Sequence, residues 1–264
     1  MVFEKLIITA TTANSWIYPD VKNWPQNTDQ LIEDVVNCYE AGAAIAHVHL
    51  PRGEEVEIVK KIREQCDIII QAGMSSESIP KRNGDFDARP DMMSVILNHH
   101  AEHFTKVNVD VLHPLEELEE YCKKFREYNI KPEWEVWHTG SYWNLLHLID
   151  KELVEDPHYL TLFFNWPGGT WSPPTFEEYI HRVRNMPKNC LYSVSIMGEE
   201  QTKIAVLALT HGGNIRVGTE DYPFIENGIP AKNNGEIIEK FISIAKYVGR
   251  EVADPSEARK IIGI

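Results

Sequence analysis

The stretch AIAHVHL, residues 44–50, decides the fold class of this chain. It is a short apolar run broken only by His47 and His49, and it follows Gly42, which ends a helical pattern. A short apolar run between turn signals is typical of a strand buried on both faces, as the strands of a parallel sheet are. The stretch therefore predicts a parallel sheet that helices cover.

Seven more such runs make this stretch one of eight predicted strands. The strands are predicted at residues 5–12, 44–50, 68–74, 93–98, 133–138, 159–166, 190–197 and 214–219, with a small extra strand at 106–112. Helical patterns separate them: Asn27 can cap one helix, Pro114 can open a second, and a third covers residues 234–249. Eight buried strands alternating with helices predict an α/β fold, a single-domain (β/α)8 TIM barrel over residues 1–264. A doubly wound open sheet is the rival, but no GxGxxG turn follows the first strand.

Length, composition and charge agree with a barrel enzyme. The chain has 264 residues and a formal net charge of −14. Nucleic acids and anionic membranes bind basic surfaces, so we expect neither as a partner. No window approaches the roughly eighteen apolar residues of a membrane span, and the first residues run directly into a strand pattern. Together with four cysteines that form no CxxC pair, this predicts a cytoplasmic protein.

Polar residues cluster where the predicted strands end, which is where barrel enzymes carry their chemistry. His47 and His49 share one face of their strand, because side chains alternate along a strand. Two imidazoles facing the barrel axis form a natural pair of metal ligands. The competing interpretation is a pair of hydrogen-bonded barrel histidines. His99, His100 and His103 follow a strand end, and we expect a loop there with surface or hydrogen-bonding roles.

A second group of polar residues surrounds the last strand. Arg216 lies on that strand, and Glu220 and Asp221 follow it. Adjacent carboxylates can serve one site only if the strand has already ended; the competing interpretation is an acidic pair that caps a helix. Glu135 and Glu133 share one face of the fifth strand, and a carboxylate inside a barrel is costly unless it is paired or catalytic.

Taken together, the sequence resembles the β-keto acid cleavage enzymes, the family that includes 3-keto-5-aminohexanoate cleavage enzyme. The resemblance covers nearly the whole chain and rests on spaced motifs. These are IITA (7–10), YEAGAA (39–44) with HVH (47–49), PEWEV (132–136), WPGG (166–169), GGNIRVGTED (212–221) and AKNN (231–234).

The resemblance implies a zinc-dependent barrel that catalyses a reversible Claisen-type exchange. A β-keto acid and acetyl-CoA would give acetoacetate and the CoA thioester of the shortened acid. His47, His49 and Glu220 would hold Zn²⁺, or another divalent metal, and Asp221 would be the general base, positioned by Arg216. Glu135 would assist proton handling, and Ser94 would contact the substrate. Barrels of this kind usually associate, so we expect a homo-oligomer.

The sequence departs from the family at two substrate positions. The family's Ser-Thr-Gly-Gly turn after the third strand is Gly73-Met74-Ser75-Ser76 here, so the contacts that Ser75 and Ser76 can make with a substrate carboxylate differ from the family's usual ones. Trp16 replaces the acidic residue that holds the amino group of an amino-substituted substrate. An indole carries no charge to neutralise an ammonium group. We therefore expect a β-keto acid with an uncharged side chain, or a quaternary cation that stacks on the ring.

Two other functions compete with this one. A metal-dependent hydrolase of the amidohydrolase type also carries an HxH motif on a barrel strand, and would use His138 and Asp221 as further ligands. A family member that binds metal or ligand without catalysis is the other alternative, favoured only by the altered turn at residues 73–76.

Overall fold

Eight parallel strands close into a barrel. The computed structural model describes residues 4–97, 99–104, 107–166 and 171–264. The barrel strands are β1 (Ile8–Thr11), β2 (Ile45–Val48), β3 (Ile69–Ala72), β4 (Met92–Ile96), β7 (Lys131–Val136), β8 (His158–Phe164), β9 (Cys190–Ile196) and β10 (Asn214–Gly218). They follow one another around the ring in chain order, and β10 pairs with β1 to close it. All eight predicted strands and the predicted barrel are confirmed.

Helices cover the outside of the barrel. They are α1 (Thr28–Glu40), α2 (Glu55–Gln65), α3 (Asn83–Ala88), α4 (Leu115–Tyr128), α5 (Ser141–Asp150), α6 (Phe176–Asn185), α7 (Gln201–Thr210), α8 (Asn234–Tyr247) and α9 (Pro255–Ile262), and a 3₁₀ turn (Ile79–Arg82) precedes α3. The predicted cap of α1 is confirmed, because the Asn27 side chain accepts a hydrogen bond from the Gln30 backbone N–H. Within the described ranges, no helix combines the length and the apolar character that a membrane crossing requires.

An antiparallel hairpin interrupts the alternation between β4 and α4. It consists of β5 (His99–Phe104) and β6 (Val107–Leu112), and β6 confirms the predicted extra strand, although Lys106 and Asn98 lie outside the described residues. The loop predicted at His99, His100 and His103 is wrong, because these residues belong to β5. The partner strand supplies the main-chain hydrogen bonds of β5, and no local apolar pattern encodes that pairing. Two more short strands, β11 (Phe224–Glu226) and β12 (Ile229–Pro230), form a small hairpin before α8.

Strand alternation divides the barrel into an outer core and an inner column. The large core lies between the strands and the helices, where for example Ile8, Val48 and Ile215 pack against helical side chains. Inside the barrel, the end at which the strands begin, here called the lower end, is apolar. Helix α9 closes it, and its residues Ala258 and Ile262 belong to a separate buried cluster. The layers above it are polar and lead to the carboxyl ends of the strands, where the candidate site lies.

Candidate metal centre

The two histidines of the HxH motif face the same cavity. His47 is on β2 and His49 follows it; both line the cavity at the carboxyl end of the barrel. Their ring centroids are 5.4 Å apart. Nδ1 of His47 lies 2.9 Å from the side-chain oxygen of Gln71 on β3. That oxygen can accept only from an Nδ1–H, so it selects the tautomer whose free Nε2 is available to a metal.

Glu220 completes a set of three candidate ligands with these histidines. β10 ends at Gly218, and the chain turns so that the Tyr222 backbone N–H donates to the Gly218 carbonyl. The carboxylate of Glu220 then lies 3.5 Å from Nε2 of His47 and 3.3 Å from Nε2 of His49. The candidate ligand atoms all lie within 4.8 Å of one another.

The residues of this cluster fit a divalent metal. Burial, reinforced by the positive Arg216, lowers the pKa of His47 to about 3, which leaves its imidazole neutral and able to coordinate. Burial opposes ionisation of Glu220, but Arg216 and the two histidines outweigh it and lower the pKa of this carboxyl. Oε2 of Glu220 has no partner of hydrogen-bond geometry, although Arg216 Nη2 approaches to 3.2 Å. Two imidazoles, one carboxylate and an open position are typical of catalytic zinc sites.

Gly73 has no side chain, and this absence provides the space that the two imidazoles occupy. A Cβ atom at this position would lie 2.7 Å from Nε2 of His49 and 2.8 Å from Nε2 of His47, closer than carbon and nitrogen can pack. Any larger residue after β3 would therefore displace the ligand pair. The turn at residues 73–76 departs from the family's motif, yet its first residue is the glycine that the imidazole pair needs.

Asp221 lies behind Arg216 rather than on the cavity wall. Both residues are buried, and Asp221 accepts hydrogen bonds from Arg216 Nε at 3.1 Å, Arg216 Nη2 at 3.0 Å and the Ser195 hydroxyl at 2.7 Å. Burial raises the pKa of Asp221 to about 6, although Arg216 opposes the shift. Arg216 lines the cavity and links this carboxylate to Glu220. Glu220 and Asp221 thus serve one region because the strand has ended, as the alternation argument requires.

Glu135 is a second buried carboxyl, besides Glu220, that reaches the cavity. It lines the cavity wall and accepts a hydrogen bond from the Trp137 indole N–H at 3.0 Å. Burial, reinforced by Glu133 one layer below, raises the pKa of Glu135 to about 8. Burial also raises the pKa of Glu133, whose carboxyl faces the hydroxyls of Ser94 and Thr161, although neither oxygen meets hydrogen-bond geometry. At neutral pH this pair therefore retains at least one proton.

The predicted substrate residues divide into two groups. Trp16, Ser75 and Ser76 line the same cavity as the candidate metal ligands. Ser94 is fully buried one layer below, and Ile96, two residues later on β4, lines the cavity.

Seven apolar or aromatic residues that were not predicted to bind substrate or metal also line the cavity, namely Met74, Ile96, His100, Trp137, Phe163, Trp166 and Met197. Only their position along the chain could have indicated them, because most of them lie at or just beyond the carboxyl end of a barrel strand. The surface alternative considered for His100 is wrong, since only 1% of that residue is exposed. The side chain of His99 is 41% exposed, and its Nε2 lies 3.6 Å from the Asp110 carboxylate. Nε2 of His138 lies 3.3 Å from the His99 carbonyl.

Comparison with known proteins agrees with this geometry. Residues 5–264 match the family described as beta-keto acid cleavage enzyme. The chain is 30% identical, over 99% of both sequences, to a 3-keto-5-aminohexanoate cleavage enzyme of Acetoanaerobium sticklandii. It is 23% identical to a 3-dehydrocarnitine:acetyl-CoA trimethylamine transferase of Rhizobium meliloti, over 97% of this chain and 95% of the relative.

A solved structure supports the fold. The apo structure of ObcA superposes with a TM-score of 0.76 at 15% identity; the match covers 91% of this chain and 65% of ObcA, which is longer. At that identity the likeness concerns the barrel alone. The match over residues 5–264 and the 30% identity over the full length carry the assignment. The chain belongs to the β-keto acid cleavage enzyme family and is an enzyme that cleaves a carbon–carbon bond.

Proposed function

We propose that the protein is a zinc-dependent enzyme that exchanges acyl groups between a β-keto acid and acetyl-CoA. The bond between the β-carbonyl and the α-carbon of the keto acid breaks, and the released acyl group forms the new CoA thioester. The acetyl group of acetyl-CoA joins the remaining acetate unit and gives acetoacetate, so the atoms balance. The convergence of His47, His49 and Glu220 in one cavity beside Arg216 carries the proposal. Relatives that are named as acetyl-CoA transferases support the choice of cosubstrate.

The side chains of this cavity suit such a reaction. A bound divalent metal would polarise the carbonyl oxygen of the substrate and stabilise the negative charge that develops there. Arg216 is held charged, because the neighbouring carboxylates Asp221 and Glu220 raise its pKa against the effect of burial. Its guanidinium can therefore bind the substrate carboxylate or the developing charge. Ser75 and Ser76 also line the cavity and offer hydroxyl groups to a substrate.

Two carboxyls compete for the role of general base. We assign it to Asp221, with Glu135 as a proton-handling group. The competing assignment is Glu135 as the base, favoured by its direct exposure to the cavity while Arg216 and Ser195 hold Asp221. Loss of a positioned base typically lowers the rate by about 10²–10⁴. Asp221→Asn should therefore lower kcat more than Glu135→Gln does; the reverse order would assign the base to Glu135.

The alternative hydrolase is not favoured. It would need His138 as a further metal ligand, but that imidazole contacts the backbone of His99, and among the described residues the metal cluster has three members. A hydrolase would also release product without CoA.

The decisive experiment screens β-keto acids with acetyl-CoA on metal-analysed protein, with thioester formation as the readout. We expect about one Zn²⁺ per chain, because two histidines and one glutamate suit this ion. His47→Ala with His49→Ala should remove the metal and the activity while the barrel stays folded. The matched control is His138→Ala, an imidazole outside the cluster that should keep its metal. Equal zinc content in the wild type and the double variant would contradict the ligand assignment. The cytoplasmic location and the homo-oligomeric state stay predictions.

A further inference from the structure

A column of stacked rings forms the cavity wall that faces the metal ligands. In the closed ring of strands β8 lies opposite β2, four strands away in either direction. Phe163 of β8 stacks on Trp137, with ring centroids 4.0 Å apart and an interplanar angle of 13°. His100 of the β5–β6 hairpin also stacks on Trp137, at 3.7 Å and 25°. Two rings this close and nearly parallel would overlap if they lay on one face of the indole, so they cover its opposite faces.

Arg216 continues the column on the far side of Phe163. Its guanidinium carbon lies over this ring, 5.0 Å from the centroid. Because Trp137 already covers one face of Phe163 at 4.0 Å, the guanidinium covers the other. The order is therefore His100, Trp137, Phe163, Arg216, and both faces of the two inner rings are occupied.

This order determines which part of each ring a ligand can meet. The face of an aromatic ring is electronegative and attracts cations, whereas its edge is electropositive. With their faces covered, Trp137 and Phe163 present their edges to the cavity. Ile96 and Met197, which pack in the same cluster, add apolar surface.

The metal side of the cavity is no better suited to a cation. The ring of Trp16 lies 6.4 Å from that of His49. A cation stacked on Trp16 would therefore lie close to the bound divalent metal and be repelled by it.

We propose that this cavity selects β-keto acids whose substituent is neutral and apolar and excludes quaternary ammonium groups, with His100 as a specificity-determining residue that covers Trp137. The proposal rests on the proposed β-keto acid function and narrows its substrate class. It assigns the β5–β6 hairpin a role, because the hairpin supplies the ring that closes the outer face of the column.

The test uses two β-keto acids of the same shape that carry either a trimethylammonium group or its neutral isostere, a tert-butyl group. Their Kd values for the zinc-loaded full-length protein are measured by calorimetry without acetyl-CoA. We expect the wild type to bind the neutral acid at least about tenfold more tightly, because an uncompensated cation is costly to bury. His100→Ala uncovers one face of Trp137 and should narrow that ratio by about 2- to 30-fold, the range of a cation–π interaction. His100→Leu is the matched control, which keeps the face covered and should keep the wild-type ratio.

Equal or tighter binding of the trimethylammonium acid by the wild type would overturn the proposal, and this result does not depend on how any variant folds. A ratio in folded His100→Ala that equals the wild-type ratio would also overturn it. Absence of thioester after acetyl-CoA is added would instead contradict the proposed reaction, while the Kd ratio would still report on the cavity.

Discussion

Replacing Gln71 with leucine tests whether the metal site depends on its supporting hydrogen bond. The Gln71 side-chain oxygen lies 2.9 Å from Nδ1 of His47, which is itself only 2% exposed. The next polar group, Arg216 Nη1 at 3.5 Å, is a donor and cannot accept a hydrogen bond from an Nδ1–H. In Gln71→Leu the imidazole therefore has no acceptor that orients it or selects its tautomer.

Two effects of different size should follow. Loss of an outer hydrogen-bond partner of a metal-bound histidine typically weakens metal binding by about 10- to 100-fold. That range corresponds to about 1.4–2.7 kcal/mol of binding free energy. The lost hydrogen bond should also lower the free energy of unfolding of the metal-free protein by about 0.5–1.5 kcal/mol, because without a metal the imidazole can carry its proton on Nε2, beside Glu220. Leucine has nearly the volume of glutamine, so neither effect comes from a cavity.

Metal affinity can be measured by competition with a chromophoric chelator on stripped and reloaded protein, and urea unfolding of the metal-free form reports stability. Gln71→Glu is the matched control, since it keeps an oxygen acceptor at the same distance and should bind zinc at least as tightly as the wild type. Folded Gln71→Leu that binds zinc as tightly as the wild type would refute the reasoning.

Three further predictions concern the ligand set and the stability of the barrel. Glu220→Gln should weaken zinc binding, whereas Asp221→Asn should keep the metal and lower kcat by about 10²–10⁴. Zinc content is measured by elemental analysis and kcat by steady-state rates. Loss of zinc in Asp221→Asn, with zinc retained in Glu220→Gln, would mean that Asp221 is the ligand and Glu220 the base. Burial raises the pKa of Asp34 from 3.8 to about 6, so the folded state holds this proton more tightly than the unfolded chain does, and stability falls as the pH rises through that interval. Asp34→Asn keeps an acceptor for the Asn234 amide. We expect this variant to be more stable than the wild type by up to about 3 kcal/mol at pH 7.5, and no more stable at pH 3.5, as measured by urea unfolding. An equal difference in stability at both pH values would contradict this prediction. Arg182 donates hydrogen bonds to three main-chain carbonyl oxygens at the ends of β7 and β8. Arg182→Met should therefore lower the free energy of unfolding by more than about 3 kcal/mol, whereas the same substitution at the exposed Arg184 should change it little. Equal unfolding midpoints for the two variants would show that these contacts add no stability.

Local sequence determined the fold class and placed two of the three candidate metal ligands on one face of a strand. The eight apolar runs predict their strands because a strand buried on both faces needs no partner information to be recognised. The spacing of His47 and His49 places both imidazoles on one face for the same reason, since alternation is a property of a single strand. β10 ends at Gly218, early enough for Glu220 to reach the two histidines. From the sequence alone this was only a requirement: Glu220 and Asp221 could serve one site if the strand had ended before them.

Only the tertiary structure decided what surrounds these ligands. Gln71, Gly73 and the column formed by His100, Trp137 and Phe163 lie on different strands and on a hairpin. Their contacts depend on the closure of the barrel, which brings distant segments together at angles that no local pattern encodes. The same closure places Asp221 behind Arg216 and Ser94 one layer below the cavity. Residue type and strand position indicate which side chains point inward, but the depth of each one in the barrel follows from the register between neighbouring strands.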